Sequence, residues 1–458
     1  MRTFEILTLF ITAGALTALI THKERRVFLY LLFGAIVVML MQFFLEGHRW
    51  QFAFLVYLLP AMYIAHRFQQ KMLNVITKTL FIIWFCFSFI VMWIVPVFTL
   101  PTPDGPYNIG TQTFHWVDTS RSEFFTKDTL DNRQIMAQIW YPGDTQPNQD
   151  PEPYLDYVEQ RATTMASAGG IPEFLPRHLN FIFTNSIKGV PIIKSESRLP
   201  ILIFSHGITG SRHLHQTLYE YLASRGYVVA AIDHSYDANL TIFPDKSIAD
   251  YRSEITGHPD SLSIRKMQME TRRTDISFII NQFEKIQSGE ISSQLGNQLD
   301  LNKIAVGGHS YGGATALTSS ALDTRIQACI GLDPWVSPVP QPVLHSGLTI
   351  PQLHIMRPSW ENSDYPSNYK SLDTILSSST NQIYRFILED SEHLDYSDIP
   401  LFSPIIHWVM RDVSHLKTDV SIHLLNNIIF EFLNIHLLDK PDMIFKSIMN
   451  HPKLKTVS

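Results

Sequence analysis

Apolar side chains fill most of the first hundred residues and are interrupted only by short polar stretches. Four apolar runs follow one another along the chain: Ile6–Ile20, Val27–Leu45, Gln51–Ala65 and Thr79–Val97. The third run contains Pro60, which neighbouring helices in a bundle can accommodate. Because the core of a bilayer requires about 20 apolar residues per helix, the pattern predicts an all-α transmembrane region of about four helices over residues 1–100.

Charges beside these runs predict their orientation, because lysine and arginine collect in cytoplasmic loops. Such residues occur in the first and third loops: Lys23, Arg25, Arg26, Arg67, Lys71 and Lys78. The second loop has only Arg49, opposed by Glu46. We therefore predict a multi-pass protein of the cell membrane, with everything after Val97 on the extracytoplasmic side. Cleavage of the first run as a signal peptide is the alternative, and three remaining runs would then reverse this orientation.

The pattern changes near residue 100, after a linker rich in proline. Short runs typical of strands follow: Gln134–Tyr141, Leu199–Ser205, Tyr227–Asp233, Lys303–Gly307, Gln327–Leu332, Pro351–Met356 and Ile383–Leu388. Stretches of helical length lie between them: Arg212–Arg225, Ser263–Ile286 and Tyr311–Leu322. Several of the strands are continuously apolar, as expected when helices cover both faces of a sheet. The alternation predicts a doubly wound, mostly parallel α/β domain over residues 101–458.

Charge also separates the two regions. The chain has 458 residues, with 36 Lys and Arg against 42 Asp and Glu. Residues 1–100 contain 8 basic and 3 acidic side chains, which leaves a net charge of −11 on the remainder. An acidic domain argues against nucleic acid as a partner, because nucleic acid requires a basic surface. The two cysteines, Cys86 and Cys329, provide neither a disulfide framework nor a cysteine zinc site, and we predict no metal and no cofactor.

A Gly-x-Ser-x-Gly motif lies between a predicted strand and a predicted helix. Ile304-Ala305-Val306 runs into Gly307–Gly313, which includes Ser310, and an alanine-rich helix follows. Strand, motif and helix in this order are the context of a nucleophile elbow, in which small residues let strand and helix approach closely. The motif therefore predicts an α/β-hydrolase fold with Ser310 as the nucleophile.

A serine nucleophile needs a general base and an acid that orients it, and in this fold they follow in the order serine, acid, histidine. His393 lies in a polar loop after the last predicted strand and is the expected base. Other histidines lie beyond that strand and are interpreted as packing or surface residues: His407, His415, His423 and His436. Spacing alone leaves the acid open between Asp333, which ends one strand, and Glu361 or Asp364, which follow the next.

An oxyanion hole requires two backbone N–H groups near the serine. Tyr311 supplies one as the residue after the nucleophile. The second is expected in the loop after strand Leu199–Ser205, and Ile208 is the predicted donor. His206 in the same loop is interpreted as a structural residue.

These residues resemble the plasma-type platelet-activating factor acetylhydrolases (lipoprotein-associated phospholipase A2) and their bacterial relatives. The shared motifs are Gly105-Pro106-Tyr107, Gln138-Ile139-Trp140-Tyr141-Pro142, Phe204-Ser205-His206-Gly207, Val229-Ala230-Ala231-Ile232-Asp233-His234, Gly308-His309-Ser310-Tyr311-Gly312-Gly313-Ala314-Thr315 and Leu332-Asp333-Pro334-Trp335. The resemblance implies that Asp333 is the catalytic acid. His393 matches the position of the family's catalytic histidine, and Ile208 and Tyr311 match its oxyanion-hole positions. It also implies calcium-independent hydrolysis of esters, including short or oxidised sn-2 acyl chains of phospholipids.

Two features depart from the family. The secreted plasma enzymes lack the apolar N-terminal region, and the segments that shape the acyl pocket, Pro153–Ile193 and Asp237–Leu262, resemble the family only in outline. The apolar patch Ile171–Pro176 fits the pocket wall and a packed cover over the sheet equally well.

The sequence thus predicts a membrane-anchored serine ester hydrolase that acts on ester or phospholipid substrates beside the lipid bilayer. An acyltransferase using the same three side chains is an alternative within the enzyme class. An inactive binding module is the alternative from another class, although its expected signature is a broken triad. Transport is disfavoured, because the apolar cores carry no ionisable side chain.

Overall fold

A computed structural model of the chain describes residues 1–21, 25–68, 74–146, 148–254, 258–441 and 443–457. The chain divides into two compact units, which are treated separately below. The first contains Met1–Thr99 with Phe174–Ile182 and Leu401–Ile406, and the second contains the rest. The predicted loop charges Lys23 and Lys71, and part of the segment Asp237–Leu262, lie outside the described residues.

The first unit is helical. Its helices are α1 (Thr3–Ile20), α2 (Arg25–Met41), α3 (Ala53–Phe68) and α4 (Val75–Ile94), with a π-helical turn at Gln42–Glu46 and 3₁₀ turns at Trp50–Phe52 and Pro176–Phe181. Buried apolar side chains from the four helices form its interior, among them Leu16, Phe28, Leu58 and Met92.

The outer surface of these helices is apolar as well. Large side chains such as Phe10, Tyr30, Phe33 and Ile76 are more than two-thirds exposed, with Phe10 at 80%. A helix that is hydrophobic all round belongs inside a large core or a membrane. The described helices of this unit therefore carry large apolar side chains on their outer surface as well as in their interior.

Length and composition single out four helices of the described chain as long and apolar enough to cross a membrane: Thr3–Ile20, Arg25–Glu46, Val75–Ile94 and Val420–Leu438. Three of these coincide with predicted runs. The remaining predicted run, Gln51–Ala65, forms α3, which has only 16 residues and contains Pro60. Val420–Leu438 lies in the second unit, outside the predicted membrane region.

The patch Ile171–Pro176 is divided between the two units. From Phe174 onward it belongs to the helical unit, where the Phe174 ring lies 4.8 Å from that of Trp50. Farther along this segment, the guanidinium of Arg2 sits 4.7 Å above the Phe181 ring. The segment is thus a cover for one end of the helical bundle.

The second unit is an α/β domain. Its strands are β1 (Ile109–Ser122), β2 (Asn132–Pro142), β3 (Pro151–Pro153), β4 (Phe183–Lys188), β5 (Leu199–Ser205), β6 (Val228–His234), β7 (Leu240–Ile242), β8 (Ile248–Asp250), β9 (Leu299–His309), β10 (Ile326–Leu332), β11 (Gln352–Met356), β12 (Ile383–Leu388) and β13 (Leu454–Thr456). Its helices are α5 (Val158–Gly169), α6 (Gln216–Ala223), α7 (Ser261–Ser288), α8 (Tyr311–Leu322), α9 (Gln341–Ser346), α10 (Asn368–Ser378), α11 (Ile406–Val409), α12 (Thr418–Leu438) and α13 (Met443–Met449), with α11 starting at the last residue assigned to the first unit.

The described residues form an 11-stranded sheet in the order β13-β12-β11-β10-β9-β5-β6-β2-β1-β4-β3. Neighbouring strands from β12 to β6 are parallel, and β2 pairs antiparallel with β6 and β1. The carboxyl ends of β9, β10 and β12 therefore share one edge of the sheet, where ligands bind in doubly wound folds.

Alternate residues of the central strands face opposite layers of helices. On β5, Ile201 and Ile203 pack into the apolar layer that contains α7 and α8, whereas Leu202 and Phe204 pack into the layer that contains α6 and α12. Side chains alternate faces along a strand, so a strand covered on both sides must be apolar throughout. The predicted α/β-hydrolase fold is confirmed.

Candidate active site

Ser310 stands at the sharp turn between β9 and α8. Its backbone has φ 58° and ψ −121°, in a region that L-residues rarely adopt. Its N–H donates to the Leu332 carbonyl at 3.0 Å, which ties the turn to the neighbouring strand β10. Such a strained turn lifts a serine hydroxyl clear of the sheet edge.

The two glycines of the motif are required by the close approach of backbone segments. A Cβ on Gly308 would lie 2.2 Å from the Gly312 carbonyl oxygen, and a Cβ on Gly312 would lie 2.0 Å from the Ser205 carbonyl oxygen. No side chain fits at either position without moving the backbone of β5 or α8. The motif therefore sets the shape of the turn that holds Ser310.

Ser310, His393 and Asp333 form a continuous hydrogen-bonded chain. His393 Nε2 lies 2.9 Å from Ser310 Oγ, and His393 Nδ1 lies 2.5 Å from Asp333 Oδ2. An ionised carboxylate only accepts, so Nδ1 carries the proton and Nε2 is left to accept the serine proton. The structure thus brings together the three side chains expected to form the triad.

The alternatives for the acid are separated from this chain. Glu361 and Asp364 are exposed in the segment after β11, whereas Asp333 is fully buried at the end of β10. The other oxygen of Asp333 accepts from Trp360 Nε1 at 2.9 Å. Asp333 has a φ of 38°, which turns its carboxylate back over the sheet edge. Of the three carboxylates, only Asp333 contacts His393.

The charge of Asp333 is stabilised by its neighbours. Burial alone would raise the pKa of this carboxyl, but the hydrogen bond from His393 and the positive charge of Arg357 bring the pKa below its usual value. Arg357 Nε lies 3.4 Å from Asp333 Oδ2. Asp333 therefore stays ionised and can stabilise a positively charged imidazole.

His393 begins a 3₁₀ turn, His393–Tyr396, in the loop that follows β12. The preceding residue of the motif, His309, contributes a bond that the sequence analysis did not anticipate: its Nε2 lies 2.8 Å from the His393 carbonyl oxygen. Burial, with His393 close by, lowers the pKa of His309 to about 3, so His309 is neutral and donates from Nε2. The residue between glycine and nucleophile thus holds the base in place.

The remaining histidines considered as bases lie elsewhere. His407 and His415 stack on each other with ring centroids 4.1 Å apart, and His423 and His436 lie on α12. His206 is fully buried, and its Nε2 accepts from the His234 N–H at 3.2 Å. His206 therefore joins the loop after β5 to the end of β6.

The loop after β5 runs beside the nucleophile. A Cβ on Gly207 would lie 3.2 Å from Ser310 Cβ, so only a glycine lets this loop come so close. Tyr311 is the first residue of α8, where an N–H has no acceptor within its own helix. These positions suit the expected oxyanion donors, the N–H groups of Ile208 and Tyr311.

Arg272 on α7 braces the same loop, and the sequence analysis missed it. Its guanidinium donates to the His206 carbonyl at 2.6 Å, reaches the Gly207 carbonyl at 3.5 Å and pairs with Asp237. Fixing these carbonyls fixes the orientation of the peptide planes that follow them. A lone arginine on an amphipathic helix gives no signal of this role in the sequence.

No group of three or more His, Cys, Asp or Glu side chains suited to a metal ion occurs among the described residues. The arrangement at the sheet edge instead offers a hydroxyl, a base, an acid and backbone donors. That set is sufficient for acyl transfer through a serine ester.

Comparison with known proteins also indicates an ester hydrolase. A family profile described as platelet-activating factor acetylhydrolase, isoform II, matches residues 94–449. The platelet-activating factor acetylhydrolase of Cavia porcellus is 28% identical over 367 residues, which cover 75% of this chain and 79% of that protein. A putative phospholipase A2 of Schizosaccharomyces pombe is 24% identical over 383 residues, covering 67% and 84%. A probable 1-alkyl-2-acetylglycerophosphocholine esterase of Arthroderma benhamiae is 25% identical over 252 residues, covering 52% and 59%.

Among solved structures, the ferulic acid esterase of Streptomyces cinnamoneus is similar with a TM-score of 0.64 and 24% identity. The match covers 79% of this chain and 100% of the esterase chain, and it shows a shared fold. The family profile spans most of the present chain, including the complete sheet edge that carries Ser310, Asp333 and His393. The chain is therefore an ester hydrolase that belongs to the platelet-activating factor acetylhydrolase, isoform II, family.

Proposed function

We propose that this protein is a membrane-anchored serine hydrolase that cleaves carboxylic esters through an acyl-enzyme. The hydrogen-bonded chain from Ser310 through His393 to Asp333, built on a strained strand-to-helix turn, carries this proposal. A serine hydroxyl becomes a nucleophile when a positioned imidazole removes its proton, and this geometry provides that imidazole.

In the proposed reaction, Ser310 Oγ attacks the ester carbonyl while His393 Nε2 takes the hydroxyl proton. The N–H groups of Ile208 and Tyr311 donate to the oxyanion of the tetrahedral intermediate. His393 then gives its proton to the departing alcohol oxygen, and the acyl group remains on Ser310. Water, deprotonated by His393, attacks the acyl-enzyme. His393 then returns this proton to Ser310 Oγ as the Oγ–acyl bond breaks, which releases the acid and regenerates the serine. Asp333 stays ionised throughout and stabilises the imidazolium.

The proposed substrates are short or oxidised sn-2 acyl chains of phospholipids. The names of the relatives support this class, since they include an acetylhydrolase, a putative phospholipase A2 and an acetylglycerophosphocholine esterase. A lipid substrate also agrees with an enzyme whose N-terminal helices expose apolar side chains on all sides.

The anchor is proposed to be residues 1–100 and the catalytic domain residues 101–458, outside the cytoplasm. Three helices of the first unit have spanning length and composition, and α3 completes a four-helix bundle with an apolar surface. Basic residues at the start of α2, near the end of α3 and near the start of α4 support the orientation: Arg25, Arg26, Arg67 and Lys78.

The test is hydrolysis of an acetyl glycerophosphocholine and of p-nitrophenyl acetate by the purified full-length protein in detergent. Wild type is expected to release acetate from both, and Ser310→Ala to release none above background. Ser377→Ala, which changes an exposed serine on α10, is the matched control. Turnover that survives in Ser310→Ala would refute the mechanism.

A further inference from the structure

Arg265, on the first turns of α7, lies against the aromatic side chains beside the nucleophile. Its guanidinium carbon is 5.3 Å from the ring centroid of Tyr311 and 5.3 Å from that of Trp335. These two rings are themselves 5.5 Å apart. Arg265 as a whole is half-buried, and its guanidinium lies against these rings.

Among the described residues, Arg265 pairs with no carboxylate, unlike the other arginines near Ser310. Arg272 pairs with Asp237, and Arg357 pairs with Asp333. Arg265 has no ion-pair partner in the part of the chain that the structure describes. An arginine left without a carboxylate in an acidic domain is positioned to bind an anion from outside.

Three N–H donors around this guanidinium also lack acceptors among the described residues: Arg265 Nε, Gln268 Nε2 and Trp335 Nε1. Arg265 donates to Gln268 Oε1 at 2.6 Å. This bond uses the amide oxygen of Gln268, so the amide nitrogen is left without a partner among the described residues. Gln268 is 1% exposed and Trp335 6%. Buried donors normally find acceptors, so three unfilled donors at one place indicate that a ligand supplies them.

This group of donors is coupled to the nucleophile. Tyr311, whose ring lies under Arg265, is the residue directly after Ser310. The backbone N–H of Trp335 donates to the Ser310 carbonyl at 2.9 Å. Arg265 therefore contacts the ring of the residue next to Ser310 and the ring of a residue hydrogen-bonded to Ser310.

We propose that Arg265, Gln268 and Trp335 form an anion subsite that binds a phosphate or carboxylate group of the ester substrate. The inference rests on the proposed ester hydrolysis and names the feature that selects the substrate. Planar donor sets of this kind match the oxyanions of a phosphodiester or a carboxylate. The anion would come either from the head group of a phospholipid or from the end of an oxidised acyl chain.

The experiment uses the full-length protein in detergent and compares esters that carry an anionic group, called anionic esters here, with matched esters that lack it, called neutral esters. One pair is an acetyl glycerophosphocholine and an uncharged glycerol acetate, and the other is the p-nitrophenyl ester of glutarate and that of its monomethyl ester. The variants are Arg265→Met and Arg265→Lys. Arg273→Met is the matched control, because Arg273 lies on the same helix but pairs with Glu270 at the surface.

The measured quantity is the ratio of kcat/KM for the anionic ester to that for its neutral partner. A charge-assisted hydrogen bond predicts a loss of about tenfold to a hundredfold in this ratio for Arg265→Met, partial retention in Arg265→Lys and no change in Arg273→Met. A loss confined to the phosphodiester pair would identify a head-group subsite, and a loss confined to the glutarate pair an acyl-chain subsite.

An unchanged ratio in Arg265→Met, or equal losses on anionic and neutral esters, would overturn the anion subsite and leave ester hydrolysis intact. Wild type that cleaves neither member of either pair would refute the proposed hydrolase itself. The two failures are therefore distinguishable in one set of measurements.

Discussion

Asp333 meets donors from three directions. His393 Nδ1 and the Arg357 side chain approach one carboxylate oxygen, and Trp360 Nε1 and the Arg357 backbone N–H approach the other. A carboxylate fixed on both oxygens cannot rotate, so it holds the imidazole in a single orientation. In the proposed mechanism, Asp333 thus decides the tautomer of His393 and, through it, the activation of Ser310.

Asp333→Asn is expected to lower kcat for short-chain esters by roughly 10³- to 10⁴-fold, because an amide nitrogen facing Nδ1 favours the wrong tautomer. Steady-state kinetics of the purified protein measure this loss. Glu361→Gln, the exposed alternative, is the matched control and should keep wild-type kcat. A large loss in the Glu361 variant with none in Asp333→Asn would assign the acid to the other strand.

A second buried carboxylate predicts how stability depends on pH. Both oxygens of Glu220 on α6 accept from Asn185, through its backbone N–H and its side-chain amide, at 2.7 Å each. Burial nevertheless raises the pKa of Glu220 to about 7 from an ordinary value of 4.5. Between these values the folded protein keeps a proton that the unfolded chain releases, so the free energy of unfolding falls as pH rises.

Glu220→Gln removes this titration, and its Tm relative to wild type should be higher at about pH 8 than at about pH 5. The underlying slope is roughly 1.4 kcal/mol per pH unit within the window. Thermal unfolding followed by intrinsic fluorescence in detergent gives the comparison, with the surface change Glu290→Gln as control. Parallel Tm curves for wild type, Glu220→Gln and Glu290→Gln would show that Glu220 is ionised in the folded protein.

At the scale of elements, the sequence predicted the central strands and the elbow well. Strand β5 is a short, almost continuously apolar run, and a run buried on both faces has few alternatives to a central strand. The Gly-x-Ser-x-Gly turn was equally clear, because its two glycines lie where a side chain would clash with neighbouring backbone atoms. The local sequence pattern was therefore sufficient to predict an element wherever local steric contacts decide its conformation.

Other elements depend on distant contacts and were not predicted. Strand β1 is 14 residues long with a mixed exposed and buried pattern, and it becomes a strand because β2 pairs with it. Spacing also did not decide whether the catalytic acid is Asp333 or one of Glu361 and Asp364. The order of the strands along the chain does not show which loop folds over the histidine. The bracing roles of His309 and Arg272 likewise arise only from tertiary packing.

Helix α12 illustrates how composition alone can mislead. Its Val420–Leu438 stretch is apolar enough to cross a membrane, yet residues such as Ile429, Phe432 and Leu433 are completely buried in the layer that covers the sheet. An apolar helix in contact with a sheet has no surface left for lipid. The helix is therefore part of the domain core.

Leu433→Ala should lower the free energy of unfolding of the catalytic domain by about 2–5 kcal/mol, since it removes a fully buried side chain and leaves a cavity. Chemical denaturation followed by loss of esterase activity measures the change. Leu322→Ala on α8 removes the same atoms from a side chain that is 54% exposed and is the control. A neutral effect of Leu433→Ala would mean that α12 faces solvent or lipid.

At the scale of the whole molecule, two units with opposite surface chemistry share one chain. The helical unit exposes large apolar side chains, and the α/β unit buries its apolar side chains between sheet and helices. The chain enters the helical unit again at Phe174–Ile182 and Leu401–Ile406. The chain therefore passes between the helical unit and the α/β unit more than once.

The proposed orientation predicts which positions a membrane-impermeant maleimide can reach in intact cells. In a Cys86→Ser background, Glu290→Cys on the α/β domain should be labelled, whereas Arg26→Cys at the start of α2 should be labelled only after permeabilisation. Both positions are exposed, so access depends on the side of the membrane. The reverse pattern would put the catalytic domain in the cytoplasm.

The central claim is that Ser310 is an activated nucleophile. Labelling of membranes with a fluorophosphonate probe tests it most directly, comparing wild type with Ser310→Ala, His393→Ala and Asp333→Asn. We predict strong labelling of wild type, none of Ser310→Ala and weak labelling of the other two variants. Equal labelling of wild type and Ser310→Ala, or no labelling of folded wild-type protein, would contradict the claim.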